Sequence, residues 1–192
     1  MNPLIDDSGP HHRHSIWLPG SDSSDPGAYF VATCTQGRLC VLGDASEGAV
    51  RLSGSGRIVE GIWEWLGFQF PYVELDEYVI MANHLDGLIM IHNVAGRGGS
   101  RAAPATDSVA PPERRDDPAS DMIKVKPLGE LVGAFKTVST KQTNLARGSP
   151  GAQLWQRGFC EHVVRHSREL DRLRTSIVQN PLQWELDGYH PY

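Results

Sequence analysis

Hydrophobic and polar positions along this 192-residue chain change period from one segment to the next. "AYFVATCTQ" (28–36) is rich in aromatic and β-branched residues and predicts a strand. "GRIVEGIWEWL" (56–66) sets Ile58, Ile62 and Leu66 four residues apart, as on one packed face of a short helix. "YVELDEYVIM" (72–81) and "LDGLIMIH" (85–92) predict two strands joined tightly at Ala82-Asn83-His84. Pro127 suits a first helical turn, and Leu128, Leu131, Val132, Phe135 and Val138 form a helical stripe behind it. "QLWQRGFCEHVV" (153–164) predicts another strand. Ser167 can cap a last helix, 168 to about 179, with Leu170, Leu173 and Ile177 toward the core. Asn180-Pro181 ends it.

The order strand, helix, strand, strand, helix, strand, helix predicts an α+β fold. The expected form is a ferredoxin-like antiparallel sheet with helices packed on one face. Residues 1–26 read as a polar lead-in and 27–187 as one domain. Within it, the Gly/Pro/Ala/charged stretch 95–121 has no period and reads as a flexible insertion. Residues 188–192 read as a tail.

Composition narrows the class. No run is long and apolar enough to cross a bilayer, and the N-terminus is too polar for a signal peptide. Three cysteines (Cys34, Cys40 and Cys160) without a CxxC pair favour packed, reduced thiols and a cytoplasmic location. The net charge of −5 argues against a nucleic-acid partner until its distribution is read. Residues 121–180 carry ten Lys/Arg against five Asp/Glu, which leaves the rest of the chain near −10. That local excess fits a phosphate footprint and equally fits a solvated helix face. Lys136, Lys141, Arg157, Arg165, Arg168 and Arg172, with Arg147 and Arg174, are the candidate DNA contacts. Trp155 and Phe159 suit base stacking, although strand aromatics are more often core.

Candidate chemistry centres on "VIMANHLDGLIMI" (79–91). His84 and Asp86 stand two apart on a predicted strand, so both leave the same face. On the last helix Arg172, Ser176 and Asn180 lie four apart and share a face offset from the apolar stripe. Were that face to meet the strand, an imidazole, a carboxylate and an amide would converge. Such a set suits Mg²⁺ or Mn²⁺ better than a structural zinc. A His and an Asp at a hairpin more commonly serve as turn and hydrogen-bonding residues. "HHRH" (11–14) reads first as solvated chain, His162 as a half-buried structural histidine, and Tyr189 and Tyr192 as tail residues.

Five ordered blocks, "PGAYFVATCTQGR", "VELDEYVIMANHLDGLIMI", "LGELVGAFK", "LWQRGFCEHVVRHSREL" and "IVQNPLQW", resemble the small single-tyrosine HUH transposases of insertion sequences. The REP-associated tyrosine transposases are the nearest group. The likeness runs from about residue 11 to 187, apart from the insertion. It implies a homodimer that nicks and rejoins single-stranded DNA beside hairpins in a prokaryotic, nucleoid-associated setting. It also implies an Mg²⁺ or Mn²⁺ ion held by two histidines flanking one hydrophobic residue, and a helix Tyr that attacks the phosphodiester. An Asn or Gln one turn beyond the Tyr completes the ion's site.

Carried onto this sequence, His84 matches the first histidine, Leu85 the spacer and Asn180 the helix ligand. Asp86 stands where the second histidine is expected, a change that keeps a hard-cation ligand. Ser176 stands where the nucleophilic Tyr is expected. A serine hydroxyl is far less acidic than a phenol, whose pKa is about 10, and it is also shorter. The resemblance therefore implies either a metal-dependent nicking and strand-transfer enzyme or a relative that binds DNA hairpins without cleavage.

Overall fold

The computed structural model describes residues 25–93 and 124–190. The predicted insertion, the "HHRH" run and Tyr192 lie outside the described residues. Strands β1 (Gly27–Cys34), β4 (Val73–Ile80), β5 (His84–Ile91) and β6 (Cys160–Val164) form one sheet in the order β4-β5-β1-β6. Every neighbouring pair is antiparallel. With helices α1 (Gly54–Gln69) and α2 (Leu128–Arg147) as its crossovers, this is the ferredoxin-like α+β arrangement expected from the order of elements. Helix α3 (Ser167–Gln179) follows β6.

The pleat sorts β5 into two faces. Leu85, Ile89 and Ile91 join the main core with Val59, Trp63 and Leu66 of α1 and Leu128, Leu131, Val132 and Phe135 of α2. Gly87 lies on the same face because Trp63 needs the space: a Cβ there would sit 2.6 Å from the indole Cζ2. Helix α1 starts where the Ser53 side chain accepts a hydrogen bond from Gly56 N, and α2 ends on left-handed Gly148. His84 and Asp86 point to the opposite face, which α3 crosses. Helix α3 buries little besides Ile177. It is tied to β4 by Arg174, whose Nε and a terminal guanidinium nitrogen donate to Asp76 Oδ2 at 2.9 and 2.7 Å.

Two segments differ from the periodicity. The predicted strand 153–164 is a continuous strand only from Cys160, although Trp155 ahead of it makes an isolated antiparallel bridge to Thr35. Before it, Trp155 turns into the core, where its Nε1 donates to Ser139 Oγ at 2.9 Å, and Gly158 takes a left-handed φ of 70°. Trp155 is thus a core residue, and Phe159 packs against that core. A hairpin the pattern did not reveal, β2 (Gly43–Ser46) and β3 (Ala49–Leu52), precedes α1. Its strands are four residues each, and its turn uses Glu47 and Gly48 at φ 53° and 75°.

Candidate functional site

The connection between β4 and β5 closes with Met81 N donating to His84 O at 2.8 Å. Asn83 and His84 are both fully buried there. Asn83 Nδ2 donates to the carbonyls of Arg38 and Tyr189 at 3.0 and 2.7 Å. That orientation turns Asn83 Oδ1 toward His84 Nδ1, 3.0 Å away. An amide oxygen only accepts, so Nδ1 carries the imidazole proton and Nε2 is left with its lone pair.

That lone pair faces three polar side chains. Asp86 Oδ2 is 3.8 Å from it, Asp187 Oδ2 3.6 Å and Asn180 Nδ2 3.4 Å. Asn180 Nδ2 also donates to Asp86 Oδ2 at 3.2 Å. Asn180 reaches the sheet because α3 gives way at Gln179 to a 3-10 turn, Asn180–Leu186, with Pro181 in its first turn. The three predicted metal ligands therefore meet within one chain. Asp187, which the sequence did not single out, meets them as well.

The chain beyond α3 folds back over this point. Trp184 stacks near the His84 ring with centroids 6.1 Å apart, and the Tyr189 ring is 4.8 Å from it. Trp184 is anchored among Met81, Ala82 and the hairpin residues Ala45 and Val50. Tyr189, read as part of a loose tail, is thus packed on the histidine. No spacing rule reveals this, since aromatic contacts across 105 residues of chain depend on tertiary folding.

Burial pushes the His84 imidazole down to about 4, with the Asp187 carboxylate opposing the shift. The ring is therefore neutral at neutral pH, as a metal-ligating histidine must be. In the unfolded chain a histidine takes up its proton near 6.5. The unfolded state then binds more protons below that value, so His84's contribution is complete above about 6.5 and is lost as the pH falls toward 4. Urea unfolding across that range is expected to show a steeper loss of stability in the wild type than in His84→Gln. Equal slopes would mean that other groups govern the acid limb.

The remaining candidates are dispersed. Ser176 is exposed on α3 and hydrogen-bonds to none of His84, Asp86 or Asn180 among the described residues. It lines a shallow groove of about 400 Å³ with Arg168, Asp171, Arg172, Gln179 and Gln183. Lys136 donates to the carbonyls of Gln156 and Gly158 and is half-buried, which lowers its pKa by desolvation. Lys141 is exposed on α2, in the helix layer away from His84, and Arg157 is exposed in the loop before β6. Arg165 is exposed ahead of α3, its N–H held by Glu169. His162 is exposed and bonded to Glu169 at 2.8 Å, away from the site. Burial raises the Cys34 thiol to about 12, so it is no nucleophile at neutral pH.

Among the described residues no three or more His, Cys, Asp and Glu side chains stand close enough to hold a metal ion as they are. The donor chemistry nevertheless fits one: a buried imidazole lone pair, a carboxylate, and an Asn180 Oδ1 that is buried with no hydrogen-bond partner among the described residues. Ligands about 2.1 Å from a shared octahedral ion lie roughly 3 to 4 Å from one another. Asp86 Oδ2 and Asp187 Oδ2 fall in that range from Nε2, at 3.8 and 3.6 Å, whereas Asn180 turns its Nδ2 toward the site and its amide has to flip to present Oδ1.

No protein-family profile matches the chain. Its chain trace is similar to the structure of a REP-associated tyrosine transposase bound to a REP hairpin, with a TM-score of 0.49 at 15% identity over 92% of this chain and 74% of that one. It is also similar to a putative transposase from Deinococcus radiodurans, with a TM-score of 0.43 at 15% identity over 79% of this chain and 88% of that one. An uncharacterized protein of Haemophilus influenzae is 30% identical over 181 residues, 94% of either chain. Sequence identity of that extent, running nearly end to end, places this chain in the same family as the Haemophilus influenzae protein.

Proposed function

We propose that this protein is a transposase-type DNA-binding protein that recognises single-stranded hairpin DNA with a divalent metal ion, and that it lacks phosphotyrosine chemistry. The observation that carries the reading is the meeting of His84 Nε2, Asp86 and Asn180 at one buried point of a ferredoxin-like sheet. The resemblance in sequence sets the metal ligands at these same positions. His84, Asp86 and the Asn180 amide oxygen would hold Mg²⁺ or Mn²⁺, and such an ion supplies Lewis-acid polarisation of a phosphoryl oxygen. Asn83 fixes the tautomer and ring orientation of His84, the role that outer hydrogen bonds play around metal-bound imidazoles. Arg168 and Arg172 along the α3 groove, with Arg165 ahead of it, give a positive track for a phosphate backbone. Lys136, already bonded to two carbonyls, contributes least to it. A homodimer belongs to the same reading: Val178 at the end of α3 and Leu182 and Leu186 in the 3-10 turn are large apolar side chains left exposed.

Ser176 argues for binding without cleavage. It is exposed, and no base is hydrogen-bonded to it among the described residues. Incubation of the protein with a labelled hairpin oligonucleotide and Mn²⁺ is expected to retard the DNA and to leave it uncut. Ser176→Tyr combined with Asp86→His is expected to yield a covalent protein–DNA adduct. An adduct formed by the wild type would overturn the non-cleaving reading. Absence of any retardation at low salt, where phosphate attraction is strongest, would overturn the DNA reading altogether.

A further inference from the structure

The three ligands expected from sequence leave Asp187 unexplained. It lies just after the 3-10 turn, at the start of the segment that covers His84. One oxygen, Oδ1, accepts the backbone N–H of Tyr189 at 2.7 Å. The other, Oδ2, is 3.6 Å from His84 Nε2, closer than Asp86 Oδ2. That distance is too long for a hydrogen bond, and Nε2 carries no proton to give. Asp187 forms no ion pair with Lys or Arg among the described residues; the titratable side chain it faces is the neutral His84 imidazole. Two carboxylates thus flank a buried neutral imidazole, an arrangement that a cation between them would complete.

The covering segment is held where this requires. Asn83 Nδ2 and the Arg38 guanidinium donate to the carbonyls of Tyr189 and Gly188, and Trp184 is anchored on the hairpin. These contacts set the backbone on both sides of Asp187 against the site, with Oδ2 on the His84 side at 3.6 Å from Nε2.

We infer that Asp187 is a further ligand of the divalent metal ion, so that the ion joins the sheet, the end of α3 and the covering segment. The inference rests on the metal site proposed above. It makes the ion a clasp for residues 184–190 as well as a partner for phosphate.

Mn²⁺ affinity, read from the electron paramagnetic resonance signal of free Mn²⁺ in the full-length protein, tests it. Asp187→Asn keeps an oxygen for Tyr189 N and is expected to weaken Mn²⁺ binding by about tenfold or more. Unchanged affinity in Asp187→Asn, with binding lost in His84→Gln, would overturn the inference and leave the metal site standing. A wild type that binds no Mn²⁺ would overturn both. Should Asp187→Asn fail to fold, hydrogen exchange in the wild type decides. Slower exchange across 184–190 on adding Mn²⁺ supports the clasp, and unchanged exchange contradicts it.

Discussion

Glutamine in place of His84 is expected to weaken Mn²⁺ binding by more than about a hundredfold, beyond the ten- to hundredfold typical of losing an outer-shell partner. Among the described residues His84 supplies the only imidazole at the site, and its Nε2 is the atom from which Asp86, Asp187 and Asn180 are all within 3.8 Å. A glutamine amide is a poorer ligand, and it cannot both satisfy Asn83 Oδ1 and present a lone pair in the same direction. The substitution retains bulk between Trp184 and Tyr189, so the covering segment keeps its packing. Calorimetric titration with Mn²⁺, alongside a thermal melt to confirm folding, reads the result. Wild-type affinity in a folded His84→Gln protein would show that the ion sits elsewhere.

The second large effect concerns the scaffold. Gly56→Ala is expected to destabilise the protein by about 3 kcal/mol or more, the upper end for overpacking. A Cβ at Gly56 would lie 2.0 Å from the Leu42 carbonyl oxygen and 3.1 Å from Leu52 Cδ2. That carbonyl has little freedom to retreat. It accepts the Ser53 N–H at 2.8 Å, while Leu42 N donates to Ala82 O at 3.0 Å and the Ser53 hydroxyl donates to Val41 O at 2.8 Å. Leu42 thus ties the start of α1 to the β4–β5 connection that presents His84. Gly61, on the same helix, has no neighbour within 4 Å of its would-be Cβ. Gly61→Ala is therefore expected to stabilise by about 0.5–1 kcal/mol through helix propensity. Opposite shifts of the two denaturation midpoints would check both. A Gly56→Ala protein as stable as the wild type would mean that the Leu42 loop moves freely.

The main elements were legible because their periods are clean. The α1 helix was found, but its buried face is carried by Val59, Trp63 and Leu66, with the expected Ile58 and Ile62 only partly buried beside it; Leu131, Val132 and Phe135 carry that of α2 as expected. The strand pair around Asn83 showed as two apolar runs with a tight break. His84 and Asp86 on one face followed from the strand period, and Asn180 from the helix end that Pro181 marks. The β2–β3 hairpin stayed hidden because "GDAS" and "AVRL" have few β-branched residues and Glu47 takes the left-handed turn position. The stretch 153–159 looked like strand because Trp155 is aromatic and apolar, whereas its burial is set by Ser139 on α2. Asp187 and Tyr189 were invisible for a different reason. A polar, Gly/Pro-containing C-terminal stretch carries no periodic signal, and its place over His84 comes from long-range bonds to Asn83 and Arg38. Ser176 was found by its position in a motif, yet its exposure and separation from the buried cluster are properties of the fold.

Electron spin-echo envelope modulation of the Mn²⁺-loaded protein tests most directly whether this buried cluster is a metal centre. Modulation from one directly bound imidazole nitrogen, present in the wild type and absent in His84→Gln, is the expected result. A spectrum without nitrogen modulation, or modulation that survives the His84 substitution, would contradict it.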